Sequence, residues 1–161
     1  MLFRSAVTTP QVPSEIWLRT RLAGLAATER DHAAAHLSRC EEVLTTGGDW
    51  RGLVGEVSLA RAAVAMRDRD WTTAATAAQQ AITVFEDYQL PWRRVTALQV
   101  SSRALTASGR LDEAGARSDD VEALLAAIGA PERWRTHQAG WPAGDGTPST
   151  RSQRARSILE P

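Results

Sequence analysis

Six stretches rich in alanine, leucine, arginine and glutamate follow one another from Ser14 to Gly129, and nearly every one ends at a turn signal. All four residue types are good helix formers. Strand signals are nearly missing: there are two phenylalanines and one tyrosine, and the β-branched residues are scattered rather than alternating. The expectation is an all-α chain. A first helix runs from Ser14, after Pro13, to about Thr28, with Ile16, Leu18, Leu22 and Leu25 as its apolar stripe. A second runs from Asp31 to Thr45 with Ala33, Leu37, Cys40 and Leu44 on one face, and Gly47-Gly48 closes it. Asp49 is expected to cap a third, to Met66. Asp70 opens a fourth, to Tyr88, with Trp71, Ala74, Ala78, Ala81 and Phe85 on one face. Pro91 suits the first turn of a fifth, to Ser108. After Gly109 a sixth runs from Leu111 to Ile128.

The pattern repeats. Trp71-Thr72-Thr73-Ala74-Ala75 stands 40 positions before Leu111-Asp112-Glu113-Ala114-Gly115, and Ala33-Ala34 stands 41 before Ala74-Ala75. Helix, short turn, helix and longer joint occur three times. One hairpin cannot bury both of its apolar faces, whereas stacked copies can, and about three are the minimum for stability. The expected organisation is a short disordered segment over 1–13, a helical-repeat domain over 14–135 and a flexible tail over 136–161, rich in Gly, Pro, Ser and Thr.

Composition narrows the chemistry. The chain has 161 residues, and its 19 basic residues balance 19 acidic ones, which argues against a broad nucleic-acid or membrane footprint. All the basic residues are arginine. With no lysine or asparagine and 28 alanines, the usage reads as that of a GC-rich bacterial genome. Without lysine there is no Schiff base and no P-loop. No apolar run approaches a membrane span, and no signal-peptide core opens the chain, so the cytoplasm is the default compartment. Cys40 is alone, so no internal disulfide forms. Nothing reads as a nucleophile–base pair, metal set or cofactor site, and the expectation is a protein that is not an enzyme.

The turn Arg69-Asp70-Trp71 followed by Ala74, Ala78 and Ala81, and the turn Gly109-Arg110-Leu111 followed by Ala114, resemble the tetratricopeptide repeat. The spacing departs from the family's usual value of about 34, a difference expected to come from longer joints between hairpins. From Val84-Phe85 through Leu90-Pro91-Trp92, Arg103-Ala104-Leu105 and Ile128-Gly129-Ala130 to Trp134, the chain resembles the C-terminal repeats of large bacterial signalling proteins. Those are the LuxR-type regulators with an ATPase domain and the ATPase-linked adenylate cyclases. The resemblance implies a right-handed tetratricopeptide-like solenoid of about three hairpins with a disordered C-terminal tail. It also implies a scaffolding or sensory role that holds or releases another domain. Neither the ATPase nor a helix-turn-helix is present, and Met1-Leu2-Phe3-Arg4-Ser5 is what a common sequencing adapter would encode. A fragment of a longer regulator is therefore expected.

Four residues are candidates for partner binding. Arg67, Gln99 and Arg103 fall on the first helices of the second and third hairpins, which line the concave face of such a solenoid and could hold a carboxylate or peptide backbone. Trp134, with Trp141, would mark an exposed seam. The expected function is protein–protein interaction without catalysis or cofactor. The alternative is effector sensing in a LuxR-type regulator, with a small molecule on the concave face. No direct contact with nucleic acid or membrane is expected, and uncapped repeat ends would favour a homodimer.

Other constellations read as ordinary structure. His32, His36 and Cys40 share one helical face, but a buried cysteine flanked by partly exposed histidines accounts for them better than a metal. Glu41-Glu42, Asp112-Glu113 and Asp119-Asp120-Glu122 read as surface ion pairs. Trp50, Trp71 and Trp92 recur at helix starts, which marks them as packing residues. Arg151, Arg154 and Arg156 form a basic tail too sparse to claim nucleic acid.

Overall fold

A computed structural model describes residues 11–24, 30–45 and 52–132. Six α-helices occur in order: α1 (Gln11–Gly24), α2 (Arg30–Leu44), α3 (Leu53–Arg67), α4 (Trp71–Asp87), α5 (Pro91–Ala107) and α6 (Leu111–Ala127). Among the described residues there is no strand. The chain divides into two compact units, Met1–Gly129 and Ala130–Pro161, and all six helices belong to the first. The expected tail, with Trp141, and the candidate Trp134 lie outside the described residues.

Repetition is built into the turns. Arg69, Gln89, Gly109 and Gly129 take positive φ (60°, 53°, 79° and 65°), one every twenty residues. Each follows a C-cap residue in near-helical backbone: Asp68, Tyr88, Ser108 and Ile128. At the first three turns the next amide reaches back across the last helical turn: Asp70 to the Ala65 carbonyl at 2.9 Å, Leu90 to Phe85 at 2.8 Å and Arg110 to Leu105 at 2.9 Å. The left-handed residue also donates, Arg69 to Met66 at 3.2 Å and Gln89 to Glu86 at 3.0 Å. This Schellman arrangement satisfies carbonyls that the end of a helix leaves without partners.

The turns correct one expectation. From α4 onward, three-residue turns join 17-residue helices, so the joint between the second and third hairpins is no longer than the turns inside them. The 40-residue period comes from long helices. Two boundaries also differ. The first helix begins at Gln11, with Pro13 in its opening turn, where a missing N–H costs no helical bond. The third begins at Leu53, capped by Gly52 at φ 84°, rather than at Asp49.

Packing follows chain order. Each helix lies on its successor, and the further substantial contacts are those of α1 on α3 and of α3, more lightly, on α5. Alanines make the close approaches: Ala62 meets Ala77 and Ala78, and Ala65 meets Ala74 and Ala104. A separate cluster of Ile16, Ala33, Leu37, Cys40 and Val57 joins α1, α2 and α3. The predicted stripes of α2 and α4 are buried or half-buried along their length. In that of α1, Ile16 is fully buried and Leu22 half-buried, but Leu18 is 52% exposed, and Thr20 and Ala23 complete the buried face. Ser102 clips α5 to α6, donating to the Ala114 carbonyl at 3.1 Å and meeting the Ser118 hydroxyl at 3.0 Å.

Phe85 is fully buried at the end of α4, and its ring lies over Gly55 of α3. A Cβ at position 55 would stand 2.6 Å from the ring's Cε1 atom. These geometries give three expected stability changes, each read from denaturant midpoints. Gly55→Ala should cost about 1–3 kcal/mol, because neither the ring nor the helix has room to yield. Arg69→Gly should gain up to about 1 kcal/mol by removing a left-handed penalty that glycine escapes. Gln89→Gly should gain less, since the Gln89 side chain donates to the Glu86 carbonyl at 2.9 Å.

Candidate functional site

α5 positions the richest surface. Its buried flank is Val95, Leu98, Ser101 and Leu105, at helical spacing. The same spacing carries Trp92, Thr96, Gln99 and Arg103 along another flank, where Gln99 is half-buried and the others are exposed. Trp92 is 50% exposed, so it is not the buried packing residue that its place at a helix start suggested. Trp71, at the corresponding place on α4, is half-buried, and Trp50 lies outside the described residues.

Three arginines stand on α5, which has no acidic residue. Arg93 pairs with Glu56 of α3 at 2.9 Å, and Arg94 with Glu86 of α4 at 3.0 Å. Arg103 is exposed, with no carboxylate in ion-pair range among the described residues. Gln99 and Arg103 therefore come together, one turn apart. Arg67 is on the last turn of α3, its Nε donating to Asp68 Oδ1 at 3.1 Å, so this guanidinium is engaged locally.

Glu56 was not singled out by sequence reasoning. It is the lone acid in the apolar run Leu53–Ala60, and a single carboxylate in such a run signals a partner across the interface. Its side chain is only 18% exposed. Burial pushes its carboxyl above the ordinary value of 4.5, and the positive charges of Arg93 and then Arg21 pull against that rise. Arg21 also lies over the Trp17 ring at 5.7 Å, so α1, α3 and α5 each contribute to this cluster.

The remaining candidates resolve into ordinary chemistry. Cys40 is fully buried, and burial raises its thiol's pKa. His32 is exposed, and His36 Nδ1 lies 3.4 Å from Arg19. Among the described residues, no group of three His, Cys, Asp or Glu side chains is arranged to hold a metal ion. Glu41 holds Arg61, Glu42 holds Arg39 at 2.9 Å, and Asp120 holds Arg117 at 3.2 Å, whereas Asp112, Asp119 and Glu122, also expected to pair, have no ion pair among the described residues. Glu113 receives two bonds from Arg110, at 2.7 and 2.6 Å, which keep its carboxyl below the usual range. An open depression of about 190 Å³ between α3 and α4 is lined by Arg61, Thr72, Thr73, Thr76, Ala77 and Gln80, and no α5 residue borders it. No described helix is long and apolar enough to cross a membrane. No family model, curated protein or solved structure matches the chain.

Glu56 sets a pH dependence. Its folded pKa lies above the unfolded one, so its contribution is fully present below about pH 4.5 and is lost as pH rises through the folded value. Glu56→Gln removes that loss. Measured by urea unfolding, the stability of the variant relative to wild type should rise from pH 4 to pH 7, and a difference that stays constant with pH would refute the assignment.

Proposed function

We propose that this chain is a tetratricopeptide-like solenoid of three hairpins, α1–α2, α3–α4 and α5–α6, acting as a non-catalytic protein-interaction module. Its partner surface is the face of the first helices, α1, α3 and α5. The observation that carries the reading is the open flank of α5, where Trp92, Thr96, Gln99 and Arg103 lie in one line on a helix otherwise packed on both neighbours. Such a flank combines what recognition surfaces favour: a large aromatic, hydrogen-bonding side chains and a guanidinium. The packing of α1 on α3 and of α3 on α5 favours a solenoid, because in such stacks the first helices sit side by side.

The resemblance to repeats of LuxR-type regulators and ATPase-linked cyclases makes a bacterial signalling or transcriptional regulator in the cytoplasm the natural setting. There the module would hold or release a neighbouring domain. The effector-sensing alternative gains no support from the depression between α3 and α4, which no α5 residue borders.

The test compares immobilised wild type with a Trp92→Ser, Arg103→Glu double variant of unchanged helicity and melting temperature. Wild type should retain specific proteins from a bacterial lysate without added small molecules, and the variant should retain about tenfold less of them. Equal capture by both would remove the α5 flank from the proposal.

A further inference from the structure

We infer that the open flank of α5 takes the acidic flank of α6 from a second copy of this chain, in a salt-sensitive two-fold dimer. The inference rests on the reading of α5 as a recognition surface and names one occupant for it. The chain is neutral overall, yet its helices are sorted by charge. α1, α3 and α5 carry seven arginines and two glutamates, while α2, α4 and α6 carry ten acidic residues and three arginines. Zero net charge leaves no overall repulsion between copies, and separated charge of both signs makes each copy complementary to the next.

The local chemistry agrees. Many of these charges are satisfied within one molecule, as in Arg93–Glu56, Arg94–Glu86 and Arg117–Asp120. On α5, Arg103 remains exposed beside Gln99 and Thr96. On α6, Asp112, Asp119 and Glu122 are exposed with no cation in ion-pair range among the described residues. The two lines match in length: Trp92 to Arg103 and Asp112 to Glu122 each span about 15–17 Å at 1.5 Å per residue. The helices are neighbours joined by a three-residue turn, so a two-fold axis that lays α5 on the partner's α6 also lays α6 on the partner's α5. That is the closed, self-complementary geometry of an isologous pair.

Sedimentation velocity on the full chain tests this. Wild type should show a concentration-dependent dimer at about 20 mM salt that weakens about tenfold or more at about 500 mM. Arg103→Glu alone, and Asp119→Arg with Glu122→Arg alone, should each be monomeric while keeping wild-type circular dichroism. An equimolar mixture of the two variants should recover the dimer, because the mixed pair has one native and one charge-exchanged contact, both attractive. A wild type monomeric at low salt, a dimer indifferent to these reversals, or a mixture that stays monomeric would each overturn the inference. If wild type is monomeric while Trp92→Ser with Arg103→Glu still abolishes lysate capture, the second copy is excluded, the interaction-module reading stands, and a foreign partner is the occupant. If that double variant also leaves capture unchanged, the α5 flank loses both roles.

Discussion

Close approach of helices at small residues is the constraint on which this structure depends. Ala62 with Ala77 and Ala78, and Ala65 with Ala74 and Ala104, bring α3, α4 and α5 together without large side chains between them. Alanine adds little buried area, so the large residues stand where gaps open. Phe85 fills the space that Gly55 leaves, and its burial contributes about 1.5–3 kcal/mol. Leu98 of α5 and Leu125 of α6 are also fully buried. The core is therefore a series of interfaces, each shared by neighbouring helices.

The turns set the spacing of that series. From α4 onward every helix and its turn occupy twenty residues, and every turn from Arg69 on carries a left-handed residue. Glycine fills two of the four positions. Arg69 and Gln89 fill the others at a conformational cost, which the reach-back bonds of Asp70 and Leu90 hold in place. The same spacing recurs in the packing, where Ala74 and Ala114, forty residues apart, are both buried.

The helices were legible in the sequence because the features that delimit them are local. Asp70 caps α4 by accepting from the Thr73 amide at 3.1 Å, Pro91 opens α5, and Gly109 and Gly129 close their helices. The turn at Arg69 was read, but the left-handed backbone of Arg69 and Gln89 was not, since nothing in an arginine or a glutamine announces it. The stripe of α1 was misread because Leu18 has the right hydrophobicity on the wrong face. Ile16 was read rightly, but only packing against α2 and α3 puts Ala23 beside it in the core. In the candidate site, Gln99 and Arg103 emerge from spacing within one helix. Glu56, Arg93 and Arg21 stand on three helices far apart in the chain, and no local pattern joins them.

The placement of charge follows from the same architecture. α3 is covered by α1, α2, α4 and part of α5, so a carboxylate on it reaches water poorly and must find cations across the interface. Glu56 does so with Arg93 and the more distant Arg21, and burial still dominates its titration. Such a group adds little net stability, because desolvation offsets most of the attraction. It does fix geometry: the Glu56–Arg93 bond ties the first turn of α5 to α3 immediately beside Trp92. The exposed line from Trp92 to Arg103 thereby starts from an anchored end, and under the proposed role that anchoring would lower the entropy lost on docking.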